Sequence, residues 1–361
     1  MSERWSVMNT AVPASGHAVP RVQSVDCAKC LAIFCVLLIH AASDSLRCGT
    51  VGSLHWLSGL FWGSISRGAV PLFLLCSGVL LLDSSRPLTV PHIWRRNIPH
   101  MLLALFFWDA VYKVIGLVTS SQTDPAALRS VLYDWLLWQH EGHLYYLPVL
   151  LLTYAALPLT RTFTAHADAK TMRYFLGFWF AFGVLLPTLR QLGLLQSFGG
   201  IVRQWPLPMA WSALGCTVLG DALRRRPLSA HCSVLLFAVG FVLCFAGTWR
   251  LSATAGTLKT PFLEGFSPGP CLMSAGMFSL CVHCVPRLPR RLNSATERLS
   301  RASFCIYLVH IAVLRLLYAL GLSTNWLPAL SIPAVAILCG ALSTCLYLLL
   351  SRIPWVNRWL I

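Results

Sequence analysis

The sequence predicts an all-α integral membrane protein whose chain crosses a bilayer about ten times. Two observations predict this class. Of the 361 residues, 57% are hydrophobic and only 11% are charged, whereas about a quarter of the residues in a soluble domain are charged. Apolar segments close to the length that a membrane-spanning helix requires, about 20 residues, also recur along the whole chain.

Ten apolar segments account for the expected crossings. They are residues 27–45, 54–82, 98–118, 143–160, 174–192, 205–223, 231–249, 269–285, 303–320 and 329–351. The second segment is long for one crossing and contains Pro71, so we expect this helix to tilt or to break at the proline. The loops are too short for a soluble domain, so binding and chemistry must take place within the bundle or at its faces.

The basic residues indicate how the chain is oriented. It carries 28 Lys and Arg against 12 Asp and Glu, a net charge of +16. With a cytoplasmic N-terminus, most of the basic residues fall on the cytoplasmic side, as the positive-inside rule requires. We therefore expect residues 1–25 to form a cytoplasmic tail, residues 26–352 the ten-helix membrane domain, and residues 353–361 a short cytoplasmic tail.

The charge and the cysteines exclude two other classes of site. The basic residues are scattered over short loops, which argues against nucleic-acid binding and suits contact with anionic membrane lipid or a phosphorylated cytoplasmic ligand. The chain has 14 cysteines, and most lie in apolar segments, where a thiol acts as a small hydrophobic group. Cys27–Cys30 and Cys281–Cys284 have metal-like spacing but no matching second pair, so we expect no bound metal.

The first apolar segment carries two ionisable side chains on one face. Lys29 and His40 are separated by about three helical turns, roughly 16 Å. A central lysine costs about 3 kcal/mol on insertion scales, so this pair predicts a path for a ligand or a reaction. Asp44 is spaced to orient His40, and Asp26 to pair with Lys29. An imidazole held by a carboxylate suits a general base or a nucleophile; a hydrogen bond in helix packing is the alternative.

The second segment contains an arginine, followed by a proline and a serine–glycine pair. Arg67 either forms a structural ion pair, with Asp44 or Asp109 as candidate partners, or holds an anionic or carbonyl group with its planar guanidinium. Ser77 and Gly78 allow a neighbouring helix or a ligand to approach the backbone closely.

A third group of polar residues stands at the outer end of the fourth segment. Glu141 and His143, beside Tyr145 and Tyr146, suit the positioning and deprotonation of an acceptor hydroxyl group, and the tyrosine rings suit stacking against a sugar. Tyrosines at this position are also typical of the aromatic belt at a membrane interface.

The remaining polar residues have less distinctive surroundings. Asp109 and Lys113 are spaced to neutralise each other in the third segment. His310 stands alone about two turns from the cytoplasmic face, where helix packing explains it best. Arg95 and Arg96 are adjacent at the cytoplasmic surface, and such pairs are more often topology signals than phosphate ligands.

In their order and spacing, these residues resemble the acyltransferase-3 family of integral membrane acyltransferases, which modify bacterial cell-envelope glycans. The first-span motif is a basic residue, ten others and a histidine, here Lys29 and His40, with lysine in place of the usual arginine. The other matches along the chain are Asp26, Arg67, Pro71, Phe73, Ser77, Gly78, Arg95, Arg96, Pro99, the run His143–Pro148 and the run Ser303–His310. The resemblance covers about residues 20–352.

The resemblance implies an O-acyltransferase, most often an O-acetyltransferase, in a bacterial inner (plasma) membrane. Its donor would be acetyl-CoA or another acyl-CoA on the cytoplasmic side, and its acceptor a hydroxyl group of an envelope glycan or a lipid-linked sugar. The expected catalytic residues are His40, Asp44, Arg67, Glu141 and His143. The expected donor-binding residues are Lys29, Ser77, Arg95, Arg96 and His310. Because the chain ends soon after its last span, we expect a stand-alone member with no added soluble domain.

Two further classes remain open. A transporter of a small anion or a lipid-linked sugar would use Lys29, His40 and Arg67 as a relay along its path. A purely structural membrane subunit is disfavoured by the number of ionisable residues within the spans.

Overall fold

A computed structural model describes residues 21–85, 88–120, 124–195, 205–324 and 326–361. These residues are helical and contain no strand, so the predicted all-α class is confirmed. The helices are α1 Gln23–Cys48, α2 Leu54–Ile65, α3 Ala69–Leu81, α4 Val90–Ser120, α5 Pro125–Leu136, α6 Gly142–His166, α7 Ala169–Gln191, α8 Met209–Arg225, α9 Ala230–Ala255, α10 Pro268–Cys284, α11 Arg290–Ala319, α12 Pro328–Leu350 and α13 Pro354–Trp359.

Within these described ranges, nine helical stretches are long and apolar enough to cross a membrane, with α2 and α3 together forming one of them. The one predicted segment that is not among these nine, residues 205–223, contains α8. This helix has 17 residues, or about 25 Å of length, which is the lower limit for a crossing. It packs against α3 and α6 inside the bundle. All ten predicted segments therefore contain helix, and nine of them are both long enough and apolar enough to cross a membrane.

The second span is broken, but not at the predicted residue. Helix α2 ends at Ile65 and α3 begins at Ala69, so the break lies at residues 66–68. Pro71 is within the first turn of α3, where an N–H group has no acceptor in the helix and the missing proton is harmless. The break places Arg67 outside both helices.

Helix α1 lies at the centre of the bundle. It packs against α2, α3, α10, α11 and α12, and most of its apolar side chains are buried. Because helices surround most of it, polar residues such as Asp26 and His40 face protein rather than lipid, which lowers the cost of placing them within a membrane.

Glycines bring α3 and α8 into backbone contact. A Cβ atom on Gly78 would overlap the carbonyl group of Thr217, and one on Gly220 would overlap the carbonyl group of Leu75. The close approach predicted at Ser77 and Gly78 is thus confirmed, and the neighbour is α8.

Gly78→Ala is expected to lower the midpoint of thermal unfolding of the purified protein. The added methyl group meets backbone that cannot move aside, and such overpacking costs about 1–3 kcal/mol. Gly116→Ala in α4 is the matched control, because nothing lies within 4 Å of its added Cβ atom. Equal midpoints for the two variants, measured by intrinsic fluorescence in detergent, would contradict this account of the contact.

The two predicted tails differ in how much of each the structure describes. Residues 1–20 of the predicted tail 1–25 lie outside the described residues, and from Gln23 the chain is already part of α1. The predicted tail 353–361 contains α13, and Leu360 is buried. Trp108 of α4 donates its indole N–H to the carbonyl oxygen of Leu360 at 3.0 Å, so this segment packs against the membrane domain.

Candidate active site

The bundle has two faces, which we name by residues that lie there. The Arg21 face is the one at which α1 begins, and the Glu141 face is the one at which α6 begins. The charge distribution of the sequence predicts that the Arg21 face is cytoplasmic.

Three histidines that are far apart in the sequence come together inside the bundle. The ring centroid of His310 lies 4.9 Å from that of His40 and 5.4 Å from that of His143, and His40 lies 6.4 Å from His143. His143 and His310 are only 7% and 0% exposed. We call these residues the histidine cluster. Among the described residues, no group of His, Cys, Asp and Glu side chains, this cluster included, has the arrangement to hold a metal ion.

His310 reaches the cluster because its helix is longer than the apolar segment 303–320. Helix α11 begins at Arg290, which places His310 about 30 Å along the helix. Its ring also lies 5.4 Å from that of His143, near the Glu141 face, and not about two turns from the Arg21 face as the sequence predicted. Its position beside His40 also argues against the donor-binding role that the resemblance implied.

The hydrogen bonds of His310 define its tautomer. Its Nδ1 atom lies 2.7 Å from the carbonyl oxygen of Tyr307 and 3.2 Å from that of Ile306. Carbonyl oxygens only accept hydrogen bonds, so Nδ1 carries the proton and Nε2 carries the lone pair. Nε2 is buried and has no hydrogen-bond partner among the described residues. A buried base with no partner is therefore available in the cluster.

Asp44 does not orient His40 as its spacing predicted. Asp44 is exposed, and among the described residues no hydrogen bond joins the two side chains. An exposed carboxylate hydrogen-bonds with water in preference to a helix neighbour, and an i,i+4 spacing permits a contact without enforcing it. The group that lies beside His40 is instead His310, and the centroids of the two rings are 4.9 Å apart.

His143 is held in the cluster by two tyrosines that sequence reasoning missed. It lies in the 3-10 turn Gly142–Tyr145 that begins α6. Tyr307 donates its hydroxyl proton to the carbonyl oxygen of His143 at 2.6 Å, and the ring of Tyr112 packs edge-on at 4.7 Å. The Nε2 atom of His143 is buried and has no partner in the described part of the chain, so it is a second unused nitrogen in the cluster.

Glu141 lies at the rim of the Glu141 face and pairs with a residue that the sequence did not single out. Nη2 of Arg315 is 3.3 Å from each of its carboxylate oxygens. The same guanidinium lies 5.7 Å from the ring centre of Tyr112, whose edge contacts His143. No spacing rule relates residue 141 to residue 315, so only the tertiary structure reveals the pair.

Arg67 forms neither of the ion pairs considered from the sequence. Asp44 is exposed, and Asp109 pairs with Lys113 at 3.7 Å, as their spacing predicted. Nε of Arg67 is buried without a partner among the described residues, and the guanidinium lies within electrostatic range of His40. Arg67 as a whole is partly buried, and the charge of Glu264 lies within its electrostatic range without forming an ion pair. Its unpaired Nε leaves Arg67 available to a ligand.

Two polar cavities open at the Arg21 face. One, of about 380 Å³, is lined by Arg21, Asp26 and Glu297 among others. The other, of about 460 Å³, shares Arg21 and Asp26 and adds Lys29 and Arg301. The two cavities are therefore neighbours, and we call them together the Arg21 vestibule.

A third cavity lies beside the Arg21 vestibule, within the bundle. It has a volume of about 230 Å³, has mostly apolar walls, and shares Lys29 with the vestibule. Ser77 lines it, as does Val36, which lies one turn before His40. Tyr307, whose hydroxyl binds His143, forms part of its far wall. We call it the inner cavity.

Lys29 stands where the vestibule and the inner cavity meet, and it lacks the partner that the sequence assigned to it. Asp26 instead accepts hydrogen bonds from Nε and Nη2 of Arg21, at 2.6 and 2.8 Å. These bonds raise the pKa of the Arg21 guanidinium. Asp26 pairs with Arg21 and not with Lys29 because the guanidinium group offers two donors in one plane. Lys29 is left without an ion pair among the described residues, which makes it available to a ligand.

Arg95 and Arg96 are exposed on the π-helical turn Ile93–Asn97 of α4. Neither lines the vestibule or the inner cavity. The basic residues that do so, besides Lys29, are Arg21, Arg290 and Arg301, which the sequence did not assign to the site. Their positions on different elements hide this association from any local motif.

A comparison with protein families finds one match. A family model described as an acyltransferase domain matches residues 22–351, a range that contains α1 to α12 and every residue of the site except Arg21. Comparisons with curated proteins and with solved structures found no match.

Proposed function

Because the chain belongs to the acyltransferase-3 family, we propose that this membrane acyltransferase moves an acyl group from acyl-CoA to a hydroxyl group of an envelope glycan or a lipid-linked sugar. Acetyl-CoA is the first donor to test. The observation that carries the proposal is that the basic Arg21 vestibule and the inner cavity share Lys29, and that the inner cavity is lined by Tyr307, whose hydroxyl binds the carbonyl oxygen of His143 in the histidine cluster. We place the protein in a bacterial inner membrane with the Arg21 face in the cytoplasm.

In this proposal the vestibule and the inner cavity bind different parts of the acyl-CoA donor. Arg21 and Arg301 line the vestibule and suit the phosphate groups, because guanidinium binds phosphate with paired, charge-assisted hydrogen bonds. Lys29 is placed to bind the polar start of the pantetheine arm. The apolar inner cavity, with Ser77 in its wall, takes the arm itself and directs the thioester towards the cluster.

The transfer is an acyl exchange between sulfur and oxygen. His40 accepts the proton of the acceptor hydroxyl group while its oxygen attacks the thioester carbonyl carbon. The carbon–sulfur bond breaks, the ester forms, and the CoA thiolate leaves and takes up a proton from His40. Arg67 stabilises the negative charge that develops on the carbonyl oxygen. The ring of His310, whose centroid lies 4.9 Å from that of His40, packs beside it and restricts its orientation.

The acceptor approaches from the Glu141 face. The unpartnered Nε2 of His143 accepts a hydrogen bond from a neighbouring hydroxyl group of the sugar, which holds the reacting hydroxyl group towards His40. Glu141 and Arg315 at the rim remain partly exposed and provide a charged pair that suits the other hydroxyl groups of a sugar.

Acceptor-dependent release of CoA tests the function. Purified protein is incubated with isotope-labelled acetyl-CoA and with lipid-linked glycans extracted from cells that lack the gene, and CoA is separated by chromatography. We expect CoA release only when the glycans are present, together with labelled glycans heavier by one acyl group. If envelope glycans from cells with and without the gene have identical masses and no CoA is released, the proposal is wrong and a transporter becomes the better reading.

Lys29→Met is expected to raise the KM for acetyl-CoA about tenfold or more, because a hydrogen bond to a charged group contributes about 1.5–3 kcal/mol. The change in kcat should be small. Arg95→Gln and Arg96→Gln, on the same face but outside the cavities, are the matched controls and should change KM less than about twofold. If the control substitutions raise KM more than Lys29→Met does, then Arg95 and Arg96, and not the residues of the vestibule, bind the phosphate groups of the donor.

A further inference from the structure

The loop that leads into His143 is attached to α4 by two charged side chains, and we infer that Asp109 and Lys113 are positioning residues for His143. The inference rests on the proposed function, because it requires His143 to act on the acceptor. From the sequence these residues only neutralise each other. In the structure each of them also binds the backbone of the loop.

The contacts are short and specific. Asp109 Oδ1 accepts the backbone N–H of Glu141 at 2.9 Å, and Lys113 Nζ donates to the carbonyl oxygen of Gln139 at 2.8 Å. The two side chains lie 3.7 Å apart. Asp109 is 3% exposed, so its bond is little weakened by water. We call this arrangement the loop clamp.

The loop needs an attachment because its own conformation is unfavourable. Trp138 has a φ of 62°, in the left-handed region that bulky residues rarely adopt. The local bonds from His140 N–H to Trp138 and from Gln139 N–H to Asp134 only close the turn on itself. Backbone strain of this kind persists where the surroundings impose it. Here α4 does so through the loop clamp and through the ring of Phe106, which packs against that of Trp138 at 5.1 Å.

The clamp bears directly on His143, which follows the held N–H of Glu141 after a single residue. The other side of the turn is attached to α11 through the hydroxyl of Tyr307. His143 is therefore fixed from α4 before it and from α11 at its own carbonyl group. The salt bridge of Glu141 with Arg315 is longer and exposed at both ends, so it is a weak anchor for the turn.

Asp109→Ala tests the inference. A displacement of about 1 Å at a reacting group lowers rates about 10²-fold, so we expect a loss of that order in kcat with an unchanged KM for acetyl-CoA. Asp109→Asn retains Oδ1 as an acceptor for the Glu141 N–H and should restore most of the rate. Lys113→Met should lower kcat about tenfold. A loss in Asp109→Ala that Asp109→Asn does not restore would overturn the inference.

A double-mutant cycle separates positioning from general stability. If Asp109 acts through His143, then adding Asp109→Ala to His143→Ala lowers the residual rate less than about twofold. Losses that multiply would show that Asp109 acts elsewhere. Should Asp109→Ala fail to fold, Lys113→Met replaces it in the same cycle. If His143→Ala lowers the rate and neither clamp variant does, the inference fails while the function stands; if the wild-type protein transfers no acyl group, the proposed function fails.

Discussion

Replacing His40 with alanine is expected to lower kcat for acyl transfer about 10³-fold, in the middle of the range of 10²–10⁴ that a positioned general base contributes. The acceptor hydroxyl loses the group that takes its proton, whereas the cavities that hold the donor do not change. Binding of acetyl-CoA, measured by calorimetry on the protein in nanodiscs, should therefore stay within about twofold of the wild type.

His231→Ala is the matched control, because His231 is exposed at the start of α9. The variant should transfer acyl groups at the wild-type rate. Retention of glycan acylation by His40→Ala, at normal expression and membrane insertion, would remove His40 from the mechanism. The role of base would then pass to His310, whose Nε2 already carries a free lone pair among the described residues.

Replacing Arg67 with methionine is expected to lower kcat about 10²–10³-fold, the effect of removing a donor to a developing oxyanion. Arg67→Lys should lose less, because it keeps the charge but not the planar fork. The same Met variant should raise the midpoint of thermal unfolding, since it removes a partly buried cation whose Nε has no partner in the described part of the protein.

The opposite signs of these two effects make the experiment decisive. A structural arginine would lower the unfolding midpoint and the rate together when it is replaced. A catalytic arginine held at a cost to stability does the reverse. A lower midpoint in Arg67→Met would therefore assign Arg67 to the fold and remove the oxyanion role.

Much of the fold was predictable because a bilayer leaves the chain few options. Backbone groups in hydrocarbon must be satisfied within each span, so apolar segments of the right length form helices. Hydropathy marks the part of a helix that lies in lipid, however, and not where the helix begins. The start of α11 at Arg290 and the break at residues 66–68 were missed for this reason.

Contacts between neighbours on one helix were only partly predictable. Spacing suggested Asp109 with Lys113, Asp26 with Lys29 and Asp44 with His40, and only the first of these pairs forms. A spacing of three or four residues permits a contact, but other elements compete for the same side chain. Asp26, for example, pairs with Arg21 and not with Lys29, because the guanidinium group of Arg21 offers two coplanar donors.

By itself, the sequence determined the class of the protein, the family motifs and the shared face of Lys29 and His40, because these depend on hydrophobicity and on the 3.6-residue helical repeat. Only the tertiary structure decided that His310 and His143 lie beside His40, that Lys29 lines both the Arg21 vestibule and the inner cavity, and that Asp109 and Lys113 bind the loop before His143. These relations join helices distant in sequence, and which helices pack together depends on the whole bundle, including the glycine contact between α3 and α8.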